Sequence, residues 1–199
     1  MKGMKDFLSE SPLYHDKSID MKSSIKVRSL RDKTYKNLQD SFRLFDVLSE
    51  ENLEIWFNGY TFIVGYKSDE NFEIVMQITT RGNNSFPTTP KGITPGENSF
   101  QVSWAELIQS LEGTGLAKKI YIKLIDKVGS LTSDNEQYKG AKRLWKSLAK
   151  NVHVRVWDGN IGEYVKDSSG KILTLREIDE SRVWGSAPNY RNILLVALK

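Results

Sequence analysis

The chain has no cysteine and only two histidines, His15 and His153. The first absence excludes a disulfide framework, a Cys-ligated zinc site, an iron–sulfur cluster and a thiol nucleophile. The second means that carboxylates would have to complete any histidine metal site, so no metal is expected. No apolar run approaches the roughly 20 residues that span a bilayer, and residues Met1 to Asp20 are charged and polar, without a signal-peptide core. No membrane partner is expected, and a cytoplasmic location is the default. Proline is scarce, and three of the five prolines fall between Gly82 and Gly96 with three glycines, which predicts a long surface loop.

What remains is a chain of 199 residues with 39% hydrophobic residues, long enough for a core that buries roughly 70% of the unfolded surface. Lys+Arg 29 against Asp+Glu 25 leaves a net charge of +4, which permits nucleic-acid contact without demanding it. Residues 1–22 lack periodicity and read as an N-terminal arm. Residues 23–199 read as a single domain with an irregular insertion at about 159–190.

Within that domain Ile25 and Val27 alternate with Lys26 and Arg28, as in a half-buried strand. Leu38, Phe42, Phe45 and Leu48 fall at spacings of four and three, which predicts one or two helices across Leu30 to Leu48. Asn58-Gly59, between two apolar runs, predicts a type I′ hairpin turn. A second turn at Ser68 to Asn71 leads into alternating Phe72, Ile74, Met76 and Ile78, completing a meander.

From Ser99 onward the pattern becomes strand, helix, strand, helix, strand, the mark of an α/β organisation. The strands are Ser99 to Leu107, Ser130 to Thr132 and Val152 to Val156, and the helices run from Leu116 to Val128 and from Glu136 to Lys150. Asp167 to Gly170 predicts a turn between Tyr164-Val165 and Ile172-Leu173, and Asn192 to Leu198 a terminal strand buried on both faces.

The segment that carries chemistry is Glu112-Gly113-Thr114-Gly115-Leu116-Ala117, between a strand and an amphipathic helix. Such a turn can aim successive N–H groups and a helix N-terminus at an anion, and glycine lets a phosphate approach the backbone. A Gly-assisted connection without a ligand is the alternative. The third glycine of the Rossmann fingerprint is missing, and so is the Gly-Lys-Ser/Thr ending of a P-loop.

The order of elements and this turn together resemble the GNAT superfamily of acyl-CoA-dependent N-acyltransferases. Its turn reads Arg/Gln-x-x-Gly-x-Gly/Ala. Gly115 and Ala117 match the last two fixed positions, while Glu112 stands where a basic or amide residue is expected. Downstream, Ser133-Asp134 and Gly140-Ala141-Lys142-Arg143-Leu144-Trp145 are similar to divergent GNAT-like proteins of phages. The resemblance spans roughly Ile25 to Val156 plus the terminal strand. It implies a GNAT-like mixed central sheet flanked by helices, with acetyl-CoA or another acyl-CoA as cofactor. The amides of Gly113, Thr114, Gly115, Leu116 and Ala117 would hold the pyrophosphate, and the strand carrying Val102 and Trp104 would pair with the pantetheine arm. A tyrosine that protonates the departing thiolate in many relatives aligns with Trp145, whose indole is no acid at neutral pH. Tyr138 or a water would have to supply that proton.

Three residues are candidates for acid–base work or acceptor binding. Asp134 can orient or deprotonate an amine, and Ser133 can donate to an oxyanion, although Ser133-x-x-Glu136 is also a capping box. Glu106 ends the strand before the turn, where the resemblance places a carboxylate. Lys118 and Lys119 would either meet phosphates or form a solvated face. Trp184 and Tyr190, in the irregular insertion, are the candidates for an acceptor or partner surface.

The resulting expectation is transfer of an acyl group, most simply acetyl, from coenzyme A to an unidentified amine, with a protein or nucleic acid as the possible acceptor. Two other classes compete with it. One is a noncatalytic phage structural or host-interaction protein that keeps the fold, acting in host cytoplasm or virion. The other is nucleic-acid base modification, which predicts salt-dependent DNA binding.

Overall fold

The computed structural model describes residues 35–68, 71–82, 100–134, 139–184 and 193–199. The predicted arm, the strand at Ser23 to Ser29 and residues 83–99 lie outside these, as does Tyr190.

Helix α1, Tyr35–Ser41, buries Leu38 and ends where the Phe42 N–H donates to the Leu38 carbonyl at 2.8 Å. The predicted continuation to Leu48 is not formed. Residues Arg43–Leu48 are instead strand β1, antiparallel to β2, Leu53–Phe57. Phe45 is the extra residue of a bulge between Leu44 and Asp46, and its ring meets Phe62 edge-on with centroids 5.1 Å apart. Ladder bonds and aromatic packing with residues distant in sequence outweigh a four-and-three spacing that extends over less than about three helical turns.

Strands β2 and β3, Thr61–Ser68, form the expected hairpin with a different turn. The Asn58 N–H donates to the Thr61 carbonyl at 3.3 Å, so the central pair is Gly59-Tyr60 rather than Asn58-Gly59. Gly59 takes φ +97°, the first-position glycine of a type II′ turn, and Asn58 Oδ1 accepts the N–H groups of Tyr60 and Thr61 at 3.1 and 2.8 Å. An asparagine side chain that bonds the turn from its corner removes the need for a left-handed asparagine.

Strand β4, Asn71–Gly82, completes the meander through a ladder with β3 that bulges between Val64 and Gly65. A side chain at Gly65 would begin 2.2 Å from the Glu73 carbonyl oxygen, so that bulge needs glycine. Leu38, Phe42, Trp56, Ile63, Phe72 and Ile74 form the core between α1 and this meander.

The later elements follow the expected alternation: β5 (Phe100–Leu107), α2 (Leu116–Val128), β6 (Ser130–Thr132), α3 (Lys139–Leu148), β7 (His153–Asp158), β8 (Glu163–Tyr164) and β9 (Ile193–Leu198). The turn around Asp167 to Gly170 is present, closed by an isolated bridge between Lys166 and Ile172. The hydrogen-bonded strand order is β1-β2-β3-β4-β5-β6-β9-β7-β8. Pairing is parallel between β5 and β6, and antiparallel between β6 and β9 and between β7 and β9. The expected α/β class with a mixed central sheet flanked by helices is therefore observed. Strand β9 has a ladder on each side, and residues Ile193 to Ala197 are all buried, which is why its sequence is apolar without alternation.

The chain falls into two compact units. One holds residues 35–81 and Ser103–Ile120, with the meander and the glycine turn. The other holds Gly82, 100–102, 121–134, 139–184 and 193–199, with β6, α3, β7 and β9. In the second, Trp157, Tyr164, Leu194 and Val196 make a local core, and the rings of Trp157 and Tyr164 meet edge-on at 5.2 Å.

Candidate functional site

The glycine turn is built almost entirely from backbone. The Ile108 N–H donates to the Val75 carbonyl at 2.9 Å, and a 3-10 turn at Gln109–Leu111 then reverses the chain. Gly113 and Gly115 take φ +78° and +86°, a left-handed conformation costly for other residues, and a side chain at either would meet nothing within 4 Å. Conformation rather than crowding thus selects glycine here, and the space above both residues is open. Thr114 Oγ1 donates to the Leu111 carbonyl at 2.8 Å and accepts the Leu116 N–H at 3.3 Å, so it caps the first amide of α2. The amides after it, Ala117 and Lys118, begin a 13-residue helix and have no partner within it. Leu116 is buried, Ala117 is half-buried, and Glu112 is exposed.

Lys119 pairs with Glu51, and this hydrogen bond raises its pKa. Trp104 is half-buried on β5, and Ser103 Oγ donates to the Thr79 carbonyl at 3.2 Å. Glu106 is also half-buried, with its Oε2 shut away from solvent.

In the other unit, β5 and β6 pair through only Phe100↔Leu131 and Gln101↔Thr132, while β5 runs on to Leu107. The residue after β6 is Ser133, 1% exposed. Its N–H donates to the Leu195 carbonyl at 2.8 Å, extending the β6–β9 register. The return bond differs from an ordinary rung. Leu195 N–H donates to Ser133 Oγ at 2.9 Å, and the Ser133 carbonyl accepts from Gln101 Nε2 at 3.0 Å. Ser133 Oγ in turn donates to the Asp134 carbonyl at 2.8 Å. The Ser133 hydroxyl thus stands in for a backbone acceptor, and Asp134 beside it is half-buried.

Gln101, 4% exposed, is not among the residues to which the sequence points. Its signal is a long amide at the start of a strand that is otherwise apolar or small. Val102 is buried next to it. Trp184 is also buried, with Lys142 Nζ 4.7 Å from its ring centroid, so it packs within its unit. Trp145 is 3% exposed and meets Tyr121 edge-on at 6.2 Å, while burial pushes the Tyr121 hydroxyl pKa up. Tyr138 and Glu136 lie outside the described residues.

The expected residues therefore fall in two places. Trp104, Glu106 and Gly113 to Ala117 belong to the meander unit, whereas Val102, Ser133, Asp134 and Trp184 belong to the other. Among the described residues no cluster of three or more His, Cys, Asp or Glu can hold a metal ion, and no helix is long and apolar enough to cross a membrane.

The sequence matches no protein-family model and no curated protein. Among solved structures, the chain is similar to the diaminobutyrate acetyltransferase EctA from Paenibacillus lautus, described in complex with L-2,4-diaminobutyric acid and coenzyme A. Identity is 14%, coverage is 71% of each chain, and the TM-score is 0.36.

Proposed function

We propose that this chain is an acyl-CoA-dependent N-acyltransferase, acting by direct transfer of an acyl group, most simply acetyl, to an amine. The observation that carries the reading is the Gly113-Thr114-Gly115 turn, with two left-handed glycines, open space above them, and the amides of Ala117 and Lys118 at the head of α2. That arrangement fits a pyrophosphate, because glycine keeps side chains away from the backbone donors and the helix end favours negative charge. Exposure of Glu112 lets its carboxylate turn to solvent, which limits the like-charge contact.

The two-pair ladder between β5 and β6 also supports the reading. The Ser133 carbonyl, just past the second pair, accepts from the Gln101 side chain. The strand carrying Val102 and Trp104 would pair with the pantetheine arm, as the resemblance implies, and the chemistry the bound cofactor would supply is an activated thioester. Proton handling falls to Glu106 or Asp134. Ser133 holds the end of β6 and positions the backbone leading to Asp134. In this reading the domain comprises residues 23–199.

A second reading, a noncatalytic interaction protein, is favoured by Trp145. Its ring lies buried against Tyr121 at the position where the resemblance implies a proton donor.

Calorimetric titration of acetyl-CoA separates the two. The expected result is saturable heat in the wild type and at least about tenfold weaker binding in Gly115→Val, which strains the left-handed position. No heat and no thermal shift at millimolar acetyl-CoA overturns the enzyme reading.

A further inference from the structure

A hollow of about 270 Å³ is lined by Ala149, Lys150, Asn151, Val152, His153, Thr174 and Arg176. All of these belong to the unit that carries α3 and β7. No aspartate or glutamate is among the lining residues, and Lys150, His153 and Arg176 are exposed at its rim.

Both walls are fixed by backbone bonds. On one side the chain leaves α3 through Asn151 N–H and Val152 N–H, which donate to the Leu148 carbonyl at 2.8 and 3.0 Å. On the other, the Leu175 N–H donates to the Val154 carbonyl at 2.7 Å, Thr174 bridges to Arg155, and the Glu177 N–H donates to the Thr174 carbonyl at 2.9 Å. Lys150 and Arg176 thus project from two tied-down turns, which lowers the ordering cost of binding.

The acid adjacent to Arg176 pairs with another cation, Lys171, and its carboxylate lies against Thr174 in the wall of the hollow. Glu177 Oε2 accepts the Thr174 N–H and Oγ1, each at 2.8 Å, and Oε1 accepts from Lys171 Nζ at 2.7 Å. Its carboxylate is committed to closing the turn and to a different cation.

We propose that this hollow is a phosphate-binding site, in which Lys150 and Arg176 take the charge and Asn151 and His153 offer further donors to its oxygens. Two permanent cations match a phosphate dianion of about −1.5 to −2 better than a carboxylate, and the guanidinium fork suits adjacent oxygens. The volume is just below the roughly 300 Å³ at which drug-sized pockets begin, which leaves room for a phosphate and part of the group that carries it. The phosphate has two possible sources, a free phosphate ester or the backbone of a nucleic-acid strand. The site stands independently of the acyltransferase reading.

The test uses the full chain, a charge-removing pair Lys150→Gln with Arg176→Gln, and a control pair of equal charge change, Lys67→Gln with Lys127→Gln. Inorganic phosphate, followed by thermal unfolding, probes the free-ester source, and a labelled 20-nucleotide oligothymidylate, followed by anisotropy across a salt series, probes the strand. Phosphate stabilisation present in wild type and control but lost in the hollow variant supports a free ester. A salt slope that falls by about 1.4 in the hollow variant alone, two single-strand contacts at about 0.7 each, supports a strand. The proposal is overturned if neither probe binds the wild type, or if both variant pairs lose binding equally, since net charge then accounts for it. Unfolding midpoints without ligand verify that both pairs fold.

Discussion

The glycine turn and the end of β6 present their polar groups in opposite ways. At residues 112–115 the side chains are exposed or absent, and the conformation comes from two left-handed glycines and one threonine cap. At Ser133 the side chain is buried, and its oxygen both accepts from Leu195 and donates to the Asp134 carbonyl. The turn therefore places main-chain donors at a helix start, while the hydroxyl at Ser133 is engaged in the sheet. A serine beside an aspartate in sequence says nothing about which of these economies applies.

Four substitutions test that contrast, beginning with the largest effect. Trp184→Ala should cost about 3–5 kcal/mol in urea unfolding, as for a buried aromatic ring. A cost near zero would return Trp184 to the role of a partner surface. Ser133→Ala should cost about 1–3 kcal/mol, since the buried Leu195 N–H loses its acceptor. If Ser133→Ala instead unfolds like the wild type, the strand-end role is wrong.

Gly115→Ala should cost about 1–2 kcal/mol through left-handed strain alone, because the new methyl meets nothing within 4 Å. The same variant should weaken acetyl-CoA binding in calorimetry, an effect Ser133→Ala should show far less per unit of stability lost.

Glu177→Gln should give the smallest change, confined to a pH window. The Lys171 hydrogen bond, and then the Thr174 N–H and hydroxyl, hold the Glu177 carboxyl at about 2, below its ordinary 4.5. A depressed carboxyl adds stability above its unfolded value and loses it as pH falls toward the folded one. The difference between wild type and Glu177→Gln should therefore be present at neutral pH, shrink between about 4.5 and about 2, and vanish below. A pH-independent difference in thermal midpoint would remove Glu177 from that role.

The same division explains what could be read in advance. The meander, the alternation after Ser99 and the apolar β9 were legible because period-2 and helical patterns reflect burial directly. The spacing of Phe45 and Leu48 matches a helical face, and only the ladder with β2 and the Phe62 ring decide between strand and helix. The hairpin at Asn58 was legible as a turn but not as a type, since Asn58 bonds from the corner through its side chain. At the candidate site the glycines could be read because left-handed backbone selects for them. Gln101 could not, because an amide in a strand gains meaning only when a specific carbonyl from 32 residues away arrives beside it.

Sequence alone determined that cysteine chemistry is absent, that the fold alternates strands and helices after a meander, and that a glycine turn opens α2. Each of these follows from residue chemistry or from periodicity over a few neighbours. Tertiary structure decided that Ser133 serves a ladder, that Trp184 lies under Lys142, and that Lys150 and Arg176 line one hollow. Those outcomes depend on which distant segments share a surface, and loop closure and packing fix that only when the whole chain folds.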